Sequence, residues 1–123
     1  MEFFATTTIP ATAADLQCRL TISELPRWCA SIEKVLSETT TSGEIFCVWG
    51  TLRTSREELH GGVRFSLPGC DNVLQWTVTT GLPPNPQQTI IHLTINRNEQ
   101  DQDFVASIQQ FVADWKTGLE THW

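Results

Sequence analysis

Toward its C-terminal end the chain carries an apolar stripe that leaves little choice of structure. Phe104, Ile108, Phe111, Val112, Trp115 and Leu119 recur at i, i+4, i+7, i+8, i+11 and i+15, the spacing of one face of an α-helix. The pattern predicts a helix over residues 103–121, with Asp101 or Asp103 as its cap. Six large apolar side chains, each worth about 1.5–3 kcal/mol when fully buried, give on the order of 10 kcal/mol. That sum is an upper bound, because the unfolded chain already hides part of the surface. It matches the net stability of a whole domain, so the helix must lie on the rest of the chain.

The preceding segments say what it covers. Residues 3–9 alternate in period two and are rich in Thr and Phe, which predicts a strand ended by Pro10. Thr12 can cap a short helix over residues 13–20, with Asp15 at its positive end. Ser23 can cap a second short helix through Trp28, with Pro26 in its first turn. Residues 31–40 fit either a helix, through Ile32, Val35 and Leu36, or a strand running into a Thr-Ser-Gly turn; the strand is preferred. Residues 44–54 are apolar on both faces, which predicts one strand buried on both sides, with Gly50 at a bulge or close approach. Residues 57–67, 73–80 and 89–96 predict three further strands, with Gly61-Gly62 at a kink in the first. Residues 81–86 form a proline-rich loop, and residues 96–103 a polar loop leading into the cap. The fold class is therefore α+β: strand, two short helices, an antiparallel continuation of five strands, and one long helix packed on the sheet.

Composition bounds the function. The 123 residues suffice for one domain, taken as residues 1–123. Eight basic residues against 14 acidic ones, a net charge of −6, argue against nucleic-acid binding, which needs a basic face. No apolar stretch reaches the roughly 20 residues of a membrane span. Met1-Glu2-Phe3-Phe4 lacks the basic start of a signal peptide, so the expected setting is the cytoplasm. There Cys18, Cys29, Cys47 and Cys70 are expected as reduced, mostly buried thiols. The absence of Tyr rules out any chemistry that needs a tyrosine acid.

The order of elements, and several local stretches, resemble the helix-grip fold of the START-like (SRPBCC) superfamily. Residues 4–11, ending in Pro10, resemble its first strand and bend. Residues 13–20 resemble its first helix, and Leu25-Pro26-Arg27-Trp28 its second. Residues 89–95 resemble its last strand. Trp115-Lys116-Thr117-Gly118-Leu119 resembles the end of the long helix in the subgroup of activators of a heat-shock-protein ATPase; polyketide-cyclase-like proteins are the other near subgroup. The resemblance covers nearly the whole chain. It implies that residues 31–40 are the second strand, and that the space between sheet and long helix is both core and pocket.

Three functions follow as expectations. The first is a binding domain holding a mostly apolar small molecule among Trp49, Phe65, Trp76, His92, Phe111 and Trp115, with no cofactor and no metal. Ordinary core packing explains the same rings. The second is a cyclase- or dehydratase-like enzyme in which His60 or His92 meets Arg64 inside the cavity and acts as base. Solvent-facing histidines are the plain alternative. The third is an interaction module with a protein partner, as the chaperone-activator subgroup implies. Arg53 and Arg56, near the turn between two strands, can clamp a carboxylate or be simple edge charges, and Glu57-Glu58 is expected to be solvated. A Cys47–His92 nucleophile pair is conceivable, but nothing in the sequence singles it out.

Overall fold

The computed structural model describes residues 1–96 and 101–123. Seven antiparallel strands form one sheet: β1 (Glu2–Thr7), β2 (Ile32–Glu38), β3 (Ser42–Cys47), β4 (Gly50–Leu59), β5 (Gly62–Ser66), β6 (Gln75–Thr80) and β7 (Thr89–Thr94). Their order across the sheet is β1-β7-β6-β5-β4-β3-β2. Strands β2 to β7 thus form a meander of sequence neighbours, and β1 closes the far side on β7. Helices α1 (Ala13–Arg19) and α2 (Leu25–Trp28) follow β1, with a 3-10 turn at Ile22–Glu24 between them, and α3 (Gln102–His122) ends the chain. The expected α+β helix-grip architecture is the observed one.

Local chemistry accounts for most boundaries. Thr12 and Asp15 form a reciprocal capping box at α1: the Asp15 amide donates to Thr12 Oγ1 at 3.1 Å and the Thr12 amide to Asp15 Oδ2 at 2.9 Å. The Thr12 amide, and after it the Thr12 hydroxyl, hold the Asp15 carboxyl below its ordinary pKa. Asp101 caps α3 by accepting from the Asp103 amide at 2.7 Å. Ser23 caps nothing: it sits inside the 3-10 turn, and its hydroxyl meets Thr21 Oγ1 at 3.1 Å. Of the predicted loop over residues 96–103, positions 97–100 lie outside the described residues.

Two expectations about strands are corrected. Residues 44–54 do not form one strand. They fold into a hairpin, β3 to β4, through a two-residue turn at Val48-Trp49, with Cys47 opposite Gly50. Gly50 takes φ +102°, a backbone only glycine adopts readily. Likewise residues 57–67 divide at His60-Gly61 into the end of β4 and the whole of β5, with Leu59 opposite Gly62. The sheet therefore has one strand more than expected. Nor is the first of these segments buried on both sides: Phe46 and Val48 are exposed.

The core lies between the inner face of the sheet and the helices. Along α3, Ile108, Phe111, Val112, Trp115 and Leu119 are buried and Phe104 is half-buried, so the predicted stripe faces inward. The last turns of α3 press on α2, where a Cβ on Gly118 would stand 1.9 Å from the Trp28 carbonyl oxygen. Trp123 docks there too. The Arg19 guanidinium lies 4.0 Å from the Trp123 ring and 5.4 Å from that of Trp28.

Candidate functional site

Strand alternation sends Phe65 and Trp76 to the inner face as a cross-strand pair, their rings stacked with centroids 5.3 Å apart. From the opposite side α3 lowers Phe111 and Trp115, one turn apart, onto them. Trp76 meets Phe111 edge-on at 4.9 Å and Trp115 at 6.2 Å, and Phe65 meets Trp115 at 6.1 Å. The hairpin turn supplies the fifth ring. Trp49 lies 4.9 Å from Phe111 and 6.0 Å from Phe104, and its indole N–H donates to Ser107 Oγ at 2.8 Å. Ser107 in turn donates to the Phe104 carbonyl at 2.6 Å. Five of the six residues read from the sequence as ligand-contacting thus form one aromatic cluster. Its rings touch one another across the space between sheet and helix.

Polarity inside the cluster is uneven. The indole nitrogens of Trp76 and Trp115 are buried and have no hydrogen-bond partner among the described residues, and Thr89 Oγ1 is in the same position. Thr89 is the middle of a buried threonine row, Thr7–Thr89–Thr80, across β1, β7 and β6. Its neighbours are satisfied: Thr7 donates to Glu120 Oε2 at 2.8 Å and Thr80 to the Gln88 carbonyl at 3.3 Å. Sequence reasoning had placed neither this row nor Ser107. The period-two pattern of residues 89–94 does put Thr89 on the same face as Ile91 and Leu93, and that was the available signal.

His92 does not join the cluster. It points from β7 to the outer face, stacked on Phe4 at 4.3 Å, with Nε2 3.0 Å from Glu2 Oε1. Arg64 is also on the outer face, two strands away beyond Thr77, and is paired with Glu57 at 2.9 Å. His60 sits in the exposed β4–β5 turn. The expected His60–His92–Arg64 group therefore does not exist, because strand alternation sends these side chains outward or into a turn. A cavity-histidine mechanism has no histidine to use. Cys47 on the inner face of β3 cannot pair with His92 on the outer face of β7.

The arginine clamp is likewise absent. Arg53 is exposed opposite Glu44, whereas Arg56 is buried with its Nε donating to the Leu20 carbonyl at 2.8 Å and Nη2 to the Gln17 carbonyl. All four cysteines are free, with Cys29 and Cys47 buried. Desolvation is the main force raising both thiol pKa values. Among the described residues no cluster of His, Cys, Asp or Glu is arranged to hold a metal, and no helix is long and apolar enough to cross a membrane.

No protein-family model matches the sequence, and no curated protein does. Solved structures do match the fold. XoxI from Bacillus cereus superposes with a TM-score of 0.66 at 11% identity, covering 96% of this chain and 92% of that one. A START superfamily protein from Mycobacterium smegmatis gives 0.62 at 11% identity over 97% and 94%. Ara h 8.0201 gives 0.54 at 10% identity over 98% and 95%. At such identities the likeness is one of fold, and that fold is START-like.

Proposed function

We propose that this chain is a small-molecule binding domain, taking a mostly apolar ligand with one hydrogen-bond acceptor between the sheet and α3. One observation carries the reading: the indole N–H groups of Trp76 and Trp115 are both buried and unpaired, in rings 6.2 Å apart. A buried donor without an acceptor costs about 1–3 kcal/mol. A ligand carbonyl or ether oxygen between the two rings recovers that cost. Phe65 and Phe111 supply apolar walls. Trp49, half-buried while the other four rings are buried, is the ring we assign to entry. Because the rings touch, binding moves at least one of them aside. His92, on the outer face, is left out of this site. The START-like neighbours add support by fold analogy alone.

The test compares a medium-chain methyl ketone with the alkane of equal length, followed by NMR on the indole N–H resonances of the five tryptophans. The ketone is expected to bind about fivefold more tightly, the worth of one net hydrogen bond of about 1 kcal/mol. It is expected to move the Trp76 and Trp115 resonances. Equal affinities with both resonances unmoved refute the proposal. The finer kinship with heat-shock-ATPase activators rests on residues 115–119 alone. In this fold Trp115 and Leu119 serve the core and Gly118 the contact with Trp28, so we rank a co-chaperone role second. A cytoplasmic setting is supported by the four free thiols.

A further inference from the structure

The sheet has two edges, and they are built differently. At one edge, β2 carries Glu33, Lys34 and Glu38, and its pairing with β3 shifts register between Ile32 and Lys34 and again between Val35 and Ser37. Charges and irregular register are the devices by which proteins keep a sheet edge from pairing with another chain. At the other edge, β1 has almost none of them. It runs in unbroken register with β7 for six residues, without proline or lysine, and its single charge, Glu2, is engaged by His92.

The ladder shows which groups that edge offers. Met1 and Ile95 exchange both main-chain bonds, at 3.1 and 3.0 Å. Antiparallel pairs alternate between bonded and non-bonded, so Phe3, Ala5 and Thr7 bond to β7. Glu2, Phe4 and Thr6 therefore direct N–H and C=O away from it, and no described strand receives them. Beneath the edge runs a groove of about 410 Å³ between β1 and α3, with Phe3, Ala5, Val112 and Ala113 among its walls. Above it, on the outer face, Phe4 is 61% exposed.

We infer that β1 is the interface of a symmetric homodimer, in which two copies pair their β1 edges antiparallel about a two-fold axis through Phe4. The sequence of the strand is self-complementary in that register. Phe4 faces Phe4 of the second copy on the outer face, and Glu2 faces Thr6, so the like charges stay apart. On the inner face Phe3 lies opposite Ala5, large against small, beside the groove. A register centred on Glu2 sets like charges against each other, and one centred on Thr6 runs Glu2 into Pro10, which has no N–H to give.

Sedimentation across a concentration series tests this, with amide exchange on the same samples. The mass is expected to rise from 13.9 kDa toward twice that value, while the Glu2, Phe4 and Thr6 amides become slow to exchange. Phe4→Lys, on an exposed position, is expected to weaken association tenfold or more while leaving the thermal midpoint of the monomer in place. Leu36→Lys on the opposite edge is expected to change nothing. In a Cys18→Ser background, Phe4→Cys is expected to form an intermolecular disulfide and Thr6→Cys not to, since only the former brings its Cα atoms to about 5.5 Å across the axis. A monomer up to about 1 mM, a dimer indifferent to Phe4→Lys, or a dimer equally broken by Leu36→Lys overturns the inference.

Discussion

Arg56 offers the sharpest test of how this fold is held together. Its side chain is only 6% exposed although it springs from the middle of a strand. Two of its nitrogens donate to the Gln17 and Leu20 carbonyls, among the last of α1, which the helix itself leaves unsatisfied. The positive charge also lies at the negative end of that helix. Arg56→Met preserves most of the alkyl packing and removes both donors, stranding two carbonyls at about 1–3 kcal/mol each. Relief of the cation's own desolvation offsets part of this. We therefore expect a net loss of about 2–4 kcal/mol, or roughly 8–16 °C in Tm at about 4 °C per kcal/mol for a chain of this size. Arg56→Lys keeps the charge but only one directed bond, and should lose about half as much. Glu58, 3.8 Å from the guanidinium and 57% exposed, should matter by less than about 0.5 kcal/mol when changed to Gln. Urea unfolding followed by tryptophan fluorescence measures all three, with exposed Arg53→Met as the control. If Arg56→Met stays within 1 kcal/mol of the parent, or Arg56→Lys is as costly as Arg56→Met, the helix-anchoring argument fails.

Two further outcomes are expected. Gly118→Ala should destabilise by about 1–3 kcal/mol in thermal unfolding, although Ala is the better helix former, because its Cβ meets the Trp28 carbonyl oxygen at 1.9 Å; a gain in stability contradicts that packing. Alkylation followed by mass spectrometry should label exposed Cys18 first and Cys29 last. Since burial raises the Cys29 pKa above its ordinary value of 9.0, folding favours the protonated thiol. The associated stability is therefore present below about pH 9 and falls as pH rises beyond it; a stability that climbs through that range contradicts the assignment.

The elements easiest to read were those whose partners are close in sequence. The α3 stripe, the Thr12–Asp15 box and the strands near residues 75–80 and 89–94 carry their own period or cap. The β3–β4 hairpin was missed because the apolar alternation of Cys47 and Trp49 continues through the turn. Trp49 is apolar for the sake of α3, not of the sheet. Glycines marked both missed turns, Gly50 and Gly61, but glycine signals a bend without saying whether the strand kinks or reverses. The aromatic cluster was legible as a list of large rings on one face. The exclusion of His92 from it, and the burial of Arg56, were not. Both depend on partners more than 30 residues away, Glu2 and Phe4 for one, Gln17 and Leu20 for the other.

The closure of β1 on β7 has a consequence in time. Strands β2 to β7 can assemble hairpin by hairpin, each turn bringing its own neighbours together. Strand β1 must wait, because the chain between Met1 and Ile95 has to be gathered before those two can bond, and distant contacts form slowly. During synthesis, β1 is made before every strand it will touch. Until residue 89 has been made, Phe3 has neither sheet nor helix to shelter it and Phe4 has no His92 to stack on, so this short segment needs protection before the fold is complete.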